Sequence, residues 1–319
     1  MRYLCEFLDI DYPILQGGMG NISNAPLTAA VSEAGGLGTI GAGTMEPQEL
    51  EAIIIDTKKR TQKPIAVNVP IKVTPYLKEV LNLIIKHEVP VVSLSAGNPV
   101  PIIPTLKEHG IKVITVTASV KQAVKAEQAG ADIIVAEGYE AAGINSNLEL
   151  TTLTLIPQII RAVDVPVVAA GGVGDGKSLA ALLTLGASGV QMGTRLIATE
   201  EAPFHQAYKQ ALLNAKDNDT VVVGRSVGQV RRVMKTPYAE ELLEKEKAGV
   251  PPEEFAEMTS EKYHKIGAIE GKLGQGFING GQVSGLVSDV PTVAQLFASM
   301  IEDAKQRISQ LHNIFQNEL

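Results

Sequence analysis

Cysteine is almost absent from this chain of 319 residues, in which Cys5 is the single example. One thiol excludes an internal disulfide, a Cys-x-x-Cys redox pair and a multi-cysteine zinc site. The first residues include Glu6 and Asp9, where a secretory signal would need an apolar run. No stretch approaches the roughly 18 apolar residues of a membrane span. We therefore expect a cytoplasmic protein with no metal site and no membrane partner.

Aromatic residues and positive charge are also scarce. Tryptophan is absent, aromatic residues make up 4% of the chain, and the net charge is −7. A nucleic-acid binder needs a basic surface that releases counterions, and a base-stacking platform needs aromatic rings. The composition therefore argues against a nucleic-acid partner. Hydrophobic residues make up 45%, enough for a large buried core, which excludes a disordered chain.

Short apolar segments alternate with amphipathic ones over the first two thirds of the chain. The apolar segments lie at 13–16, 37–40, 65–68, 91–94, 113–116, 133–136, 167–170 and 189–192. Strands that are apolar on both faces are typical of parallel sheets covered by helices. Eight such strands before residue 195 favour a TIM (β/α)8 barrel over a doubly wound sheet.

The segment from about 216 to 262 interrupts this alternation. It contains Pro237, a charged run at 240–247 and Pro251 followed by Pro252. These features predict a helical insertion on the surface, and a solvated charged helix is favoured over an interaction site. An amphipathic helix at about 293–311 follows. We expect a single domain over residues 1–319, with the insertion inside it.

The site of such a barrel lies at the carboxyl ends of its strands. Gly171 and Gly172 follow one predicted strand, and Gly193 and Thr194 follow the next. Glycines let backbone N–H groups approach a ligand closely, and barrels of this type hold a phosphate at these two strand ends. Either pair alone would be explained as part of an ordinary loop, but the two pairs in consecutive units predict a phosphate site.

Other strand ends carry polar or soft side chains. The side-chain amide of Asn68 can pair with the donor and acceptor edge of a pyrimidine-like ring. A structural role of this amide in a turn or helix cap is an equal alternative. Gly18 and Met19 would place an N–H group and a thioether over an aromatic ring, although methionine more often fills a core. Glu137 begins a loop with two carboxylates, for which hydrogen bonds to backbone and ligand are favoured over acid–base chemistry.

Six motifs in order resemble the nitronate monooxygenase (2-nitropropane dioxygenase) family, which includes the FMN-dependent type II enoyl-ACP reductases. The motifs are Gln16-Gly17-Gly18-Met19, Ala66-Val67-Asn68-Val69, Glu137-Gly138-Tyr139-Glu140-Ala141-Ala142-Gly143, Ala170-Gly171-Gly172-Val173, Gln191-Met192-Gly193-Thr194-Arg195 and Gly281-Gln282-Val283-Ser284-Gly285-Leu286. The resemblance runs from Tyr12 to the last helix. It implies a TIM barrel that holds one non-covalent FMN.

The resemblance also implies contacts to that FMN. The flavin ring would meet Gly18, Met19 and Asn68, and the ring and ribityl chain would be lined by Thr117, Ala142 and Gly143. The phosphate end would be held by Gly172, Gln191, Gly193 and Thr194. Together with Gly171 and Glu137, these are the predicted cofactor-binding residues.

The chain departs from the family at one position. The family loop ends in a histidine that serves as base or proton donor, and this chain has Ile144 followed by Asn145. An aliphatic side chain cannot exchange a proton, and an amide is a poor general base. Asn145 and Ser284 are the remaining catalytic candidates. His205 and His264 are further histidines that could reach the site, with structural hydrogen bonds as the alternative.

The expected activity is oxidation of alkyl nitronates by O2 through FMN. The alternatives are an FMN-dependent enoyl-ACP reductase, an NAD(P)H:quinone reductase, a catalytically silent flavoprotein, and a flavin-free barrel lyase or isomerase. NAD(P)H is a candidate co-substrate, an acyl-carrier protein a candidate partner and a homodimer a candidate assembly. Arg225, Arg231, Arg232 and Lys235 could attract such a phosphate or carrier, or form surface ion pairs.

Overall fold

A computed structural model describes residues 2–317 of the chain, and eight parallel strands form its centre. These strands are β1 Ile14–Gln16, β2 Gly38–Gly41, β3 Ile65–Pro70, β4 Val91–Ser95, β5 Lys112–Thr117, β6 Ile133–Glu137, β8 Val167–Ala170 and β9 Gly189–Met192. They pair in the order β1-β9-β8-β6-β5-β4-β3-β2, and a parallel bridge between Leu15 and Leu37 joins the two ends. Each predicted strand is present, and the predicted TIM barrel is confirmed.

Helices surround the barrel and follow most of its strands. They are α1 Arg2–Leu8, α2 Ala25–Glu33, α3 Pro47–Arg60, α4 Leu77–Lys86, α5 Ile103–Glu108, α6 Val120–Gln128, α7 Thr152–Ile160, α8 Gly176–Thr184, α9 Thr194–Ile197, α10 Gln206–Leu213, α11 Pro237–Lys247, α12 Pro252–Met258, α13 Glu261–Ala268 and α14 Val293–Asn317. Their ends carry local signals. Asp175 begins α8 with a capping box that includes Ser178, and Gly186 follows α8 with a φ of +98°. None of the helices in residues 2–317 is both long and apolar enough to cross a membrane.

Two apolar layers hold the barrel together. The larger one lies between the strands and the surrounding helices, and the smaller one fills the inside of the barrel. Leu4 and Leu8 of α1 belong to the inner layer, beside Ala66, Val91 and Ile133 near the starts of their strands. Helix α1 therefore closes the amino end of the barrel, and the carboxyl ends of the strands are left to form a site.

The expected helical insertion at about 216–262 contains α11 and α12 and is followed by α13, but it also contains two strands that the sequence analysis did not anticipate. β10 Thr220–Val223 and β11 Arg231–Met234 are antiparallel, and β11 pairs in turn with β7 Gly143–Ile144. A separate apolar cluster that includes Phe255 and Phe277 supports this three-stranded sheet. The insertion is therefore bonded directly to the loop that follows β6.

Candidate active site

A cavity of about 810 Å³ opens at the carboxyl ends of the barrel strands. The structure brings every predicted cofactor-binding residue to its wall: Gly18, Met19, Asn68, Thr117, Glu137, Ala142, Gly143, Gly171, Gly172, Gln191, Gly193 and Thr194. Parallel strands end at the same rim of a barrel, and this brings together residues that lie far apart in the sequence. The contacts that these residues would make to FMN stay predictions.

Gly171, Gly172, Gly193 and Thr194, which we call the amide cup, lie together after β8 and β9. Gly171 has a φ of +100° and Gly172 a φ of +74°, in the left-handed region that favours glycine. Thr194 is 5% exposed, and its hydroxyl oxygen accepts a hydrogen bond from the backbone N–H of Gly281 at 3.0 Å. The hydroxyl hydrogen has no acceptor within residues 2–317 and remains to be donated.

The amide cup fits an anionic group. Neither Gly172 nor Gly193 donates its N–H to another backbone group of the described chain. A Cβ added at Gly193 would meet no atom within 4 Å, so this position faces open space. Exposed N–H groups beside a hydroxyl donor are suited to a phosphate. The residues present therefore fit the terminal phosphate of a mononucleotide.

Asn68 lies at the cavity wall at the end of β3 and is 7% exposed. Its Nδ2 donates to the Ser93 carbonyl at 3.2 Å and to the Ser95 hydroxyl at 3.1 Å, which fixes the orientation of the amide. A Cβ added at Gly18 would lie 2.4 Å from Asn68 Oδ1. Glycine at position 18 is therefore required for the close approach of these two strand ends.

Glu137, at the end of β6, is half-buried in the cavity wall. Burial raises the pKa of its carboxyl to about 7. Its side chain makes no hydrogen bond or ion pair with any residue that the structure describes. A partly desolvated carboxyl with free acceptor and donor capacity is suited to bonding a polar ligand.

Residues 138–145 form the site loop, which is held by hydrogen bonds from Thr152, from Arg232 and from its own Asn145. The Glu140 carboxylate accepts hydrogen bonds from the backbone N–H and the hydroxyl of Thr152 at 2.8–3.0 Å. Arg232, which is 3% exposed, donates to the Tyr139 carbonyl at 3.0 and 3.1 Å. Asn145 donates its amide to the carbonyls of Tyr139 and Ala141, so its side chain binds its own loop.

Of the two predicted catalytic residues, Asn145 lines the cavity and Ser284 does not. Asn145 lines the cavity, although its amide is occupied as described. Ser284 is fully buried in a 3-10 turn, where its hydroxyl donates to the Gly281 carbonyl at 2.7 Å, and it is not among the lining residues. Ile144 lines the cavity and is 44% exposed. The catalytic roles of Asn145 and Ser284 stay predictions.

The two histidines that sequence reasoning left open differ in position. His205 begins α10, where its Nδ1 accepts from the backbone N–H of Ala207, and it does not line the cavity. His264 in α13 lines the cavity and is 2% exposed. Sequence reasoning did not separate these two histidines, because α13 follows the insertion and no local pattern shows where it lies relative to the barrel.

The four basic residues 225, 231, 232 and 235 do not form one surface. Arg225 pairs with Glu149 at 3.0 Å, Arg232 is buried against the site loop, and Arg231 stacks over Phe277 at the cavity wall. The structure therefore favours internal partners for the three arginines over a shared anion-binding patch. The described residues include no group of three or more His, Cys, Asp or Glu side chains arranged to hold a metal ion.

Comparisons with known proteins agree on the family. The family model for nitronate monooxygenase matches residues 2–79 and 70–303. A probable nitronate monooxygenase from Staphylococcus saprophyticus is 36% identical over 281 residues, which cover 74% of this chain and 79% of that protein.

Two solved structures have the same fold along nearly the whole chain. FabK from Thermotoga maritima, a type II enoyl-ACP reductase, is 40% identical with a TM-score of 0.93, covering 97% of this chain and 98% of that one. Nitroalkane oxidase from Streptomyces ansochromogenes is 26% identical with a TM-score of 0.85, covering 97% and 99%. The relatives are oxidoreductases, and the family is in general flavin-dependent. The chain therefore belongs to the nitronate monooxygenase family of TIM-barrel oxidoreductases.

Proposed function

We propose that the chain is an FMN-dependent oxidoreductase that oxidises alkyl nitronates with O2. The observation that carries this proposal is the amide cup at one end of an 810 Å³ cavity, in a chain of the nitronate monooxygenase family. The cavity combines the amide cup, which is suited to an anion, with a volume of about 810 Å³. Binding sites of this size bury most of a small ligand.

The residues that would hold FMN are those of the amide cup at its phosphate, and Gly18, Met19 and Asn68 at its ring. FMN supplies an electron acceptor that can be reoxidised by O2. The protein supplies orientation: Asn68 is fixed by two serines, and Gly18 allows the two strand ends to approach. Glu137 offers a further hydrogen-bonding group in the same wall.

Nitronate is the preferred substrate because it needs no deprotonation by the site loop. The loop carries Ile144 at the position where the family histidine is expected, and Asn145 uses its amide within the loop. A nitronate reaches the site as the carbanion-like anion. Oxidation of this anion therefore does not depend on a base at position 144.

Oxygen consumption tests the proposal. FMN-loaded protein is expected to consume O2 when ethyl nitronate is added, to lose this activity when FMN is removed, and to regain it when FMN is restored. The control is the same nitronate with free FMN and no protein. FMN-loaded, folded protein that consumes no O2 above this control contradicts the proposal.

A second function is favoured by the identity of 40% to FabK over 97% of this chain. In this case NAD(P)H would supply hydride and a thioester enoyl group would receive it, with an acyl-carrier protein as the carrier. Oxidation of NADH or NADPH that depends on crotonyl thioester, without nitronate-dependent oxygen uptake, would select this function over the first.

A further inference from the structure

Arg231 is the first residue of β11 and lies opposite Ile144 of β7. Opposite residues of an antiparallel pair place their side chains on the same face of the sheet, with Cβ atoms about 4.5–5.5 Å apart. Both residues line the cavity. An arginine therefore lies beside position 144, where the family histidine is missing.

The Arg231 guanidinium lies over the ring of Phe277. Its carbon is 4.9 Å from the ring centroid, and Phe277 is fully buried in the apolar cluster that supports the three-stranded sheet. The ring attracts the cation through its quadrupole, and this attraction needs no hydrogen-bond acceptor. The contact therefore positions the guanidinium and leaves its five N–H donors available.

These donors have no acceptor within the described chain. The Arg231 side chain makes no hydrogen bond and no ion pair with residues 2–317, whereas Arg232 donates to the Tyr139 carbonyl and Arg225 pairs with Glu149. Arginine stays protonated near neutral pH. A half-buried positive charge without a paired anion is unfavourable, and a bound anion would remove this cost.

Glu261 is the carboxylate whose charge acts on Arg231. Burial lowers the pKa of the guanidinium and the charge of Glu261 raises it, but the two side chains form no ion pair. The Glu261 carboxylate has other partners, because its Oε2 lies 3.3 Å from His264 Nδ1 and it accepts a backbone hydrogen bond from Asn21. The donors of Arg231 therefore stay open to the cavity.

We propose that Arg231 binds the planar two-oxygen anion of the substrate, so that the cavity has a second anion site apart from the amide cup. This inference rests on the proposed function, in which the anion is the O–N–O group of a nitronate. A guanidinium can bond two oxygens of such a group side by side, as it does with a carboxylate. A fixed cation beside Ile144 favours a substrate that arrives ionised, because a neutral analogue gains less from the charge.

Nitrate tests this site without turnover, because it is a planar oxyanion with no carbanion to oxidise. FMN-loaded protein, in which the phosphate fills the amide cup, is titrated calorimetrically with sodium nitrate against a background of equal ionic strength in sodium chloride. Arg231→Gln is expected to bind nitrate at least about 10-fold more weakly than wild type, since the charged donors are lost. Arg231→Lys keeps the charge without the planar fork and should lose about 3-fold or more. Lys235→Gln removes an exposed charge next to β11, outside the cavity, and is the matched control that keeps the wild-type affinity.

Steady-state kinetics with ethyl nitronate give a second readout. In Arg231→Gln, KM is expected to rise at least about 10-fold while kcat stays within about 3-fold, as for lost substrate binding. Nitrate is expected to compete with the nitronate in wild type and to compete more weakly in the variant. Wild-type protein that binds no nitrate overturns the inference, and so does a folded Arg231→Gln with unchanged nitrate affinity. Should Arg231→Gln fail to fold, unchanged nitrate affinity in Arg231→Lys overturns it.

The two proposals fail in different ways. Protein that oxidises ethyl nitronate with the same KM in wild type and Arg231→Gln, and that nitrate does not inhibit, retains the proposed function and contradicts the role of Arg231. Protein that binds nitrate through Arg231 but oxidises no nitronate supports the anion site and contradicts the proposed function. Protein that takes up no FMN also contradicts the proposed function. Arg231 is then tested by the same titration of flavin-free protein, in which the amide cup contributes equally to wild type and variant.

Discussion

The Thr194 hydroxyl makes one hydrogen bond within the fold, and its hydrogen has no acceptor within the described residues. Its oxygen accepts from Gly281, which ties the turn before the last helix to the amide cup. A hydroxyl can donate as well as accept, so the same side chain can bond a phosphate oxygen. A substitution of Thr194 can therefore change both the stability of the site and its affinity for a ligand.

Replacing Thr194 with valine therefore affects binding most directly. We expect Thr194→Val to weaken FMN binding by about 10- to 100-fold, because a hydrogen bond to a charged group contributes about 1.5–3 kcal/mol and the neighbouring N–H groups remain. Equilibrium dialysis with FMN measures this. Thr105→Val, an exposed position on α5, is the control. Unchanged affinity in Thr194→Val would remove the hydroxyl from the phosphate site.

Glu137 gives a prediction for the pH dependence of stability in the flavin-free protein. Its pKa is raised to about 7 in the folded state, so between pH 4.5 and 7 the folded state binds more protons than the unfolded state. The contribution of Glu137 to the free energy of unfolding therefore falls as pH rises through this window, by at most about 3 kcal/mol at 1.36 kcal/mol per pKa unit. Glutamine does not titrate and lacks this contribution.

Urea unfolding of wild-type protein and Glu137→Gln at pH 5 and pH 8 measures the effect. The variant is expected to gain stability relative to the wild type between these two values, by about 1–3 kcal/mol. A difference between the two proteins that is the same at both pH values would show that the Glu137 carboxyl is not desolvated.

The short strand β7 connects the insertion to the site. Gly143 pairs with Arg232 and Ile144 pairs with Arg231, so β11 runs along the site loop. The Arg232 guanidinium adds two hydrogen bonds to the Tyr139 carbonyl. The insertion therefore positions the loop from outside the barrel.

Removing the buried guanidinium is expected to loosen the loop. In Arg232→Gln, the amide hydrogens of residues 138–145 should exchange at least about 10-fold faster, since the lost hydrogen bonds leave a carbonyl with fewer partners. Hydrogen exchange with mass spectrometry measures this. Arg60→Gln removes an exposed ion pair with Asp56 on α3, which should have little effect on the loop. Equal exchange in both variants would contradict the positioning role of Arg232.

The sequence predicts the barrel well because its signals are local. Strands such as 133–136 are apolar on both faces, and caps such as Asp175 mark helix starts, so each βα unit can be recognised without knowledge of its neighbours. The strand ends then bring residues 18, 68, 137, 172 and 193 together, because a closed parallel barrel places all carboxyl ends at one rim.

The three-stranded sheet could not be predicted in the same way. β7 has two residues, and its partner β11 lies more than 80 positions later in the chain, so neither strand has a local pattern that identifies the pairing. The position of His264 at the cavity likewise has no local signal along most of the chain, because α13 follows the insertion. Its spacing from Glu261, three residues earlier on the same helix, was the one local signal, since such residues share a helix face.

The barrel has one closed end and one open end. Helix α1 fills the amino end with Leu4 and Leu8, and the cavity occupies the carboxyl end beneath the insertion. We propose that this open end holds FMN by its phosphate in the amide cup. Riboflavin has the same ring and ribityl chain without the phosphate, so a comparison of the two ligands isolates the cup.

Titration of the flavin-free protein with FMN and with riboflavin, followed by flavin fluorescence, measures this difference. We predict that FMN binds at least about 100-fold more tightly, which corresponds to about 2.7 kcal/mol of phosphate binding. Equal dissociation constants for the two flavins, or no binding of FMN to folded protein, would contradict the claim.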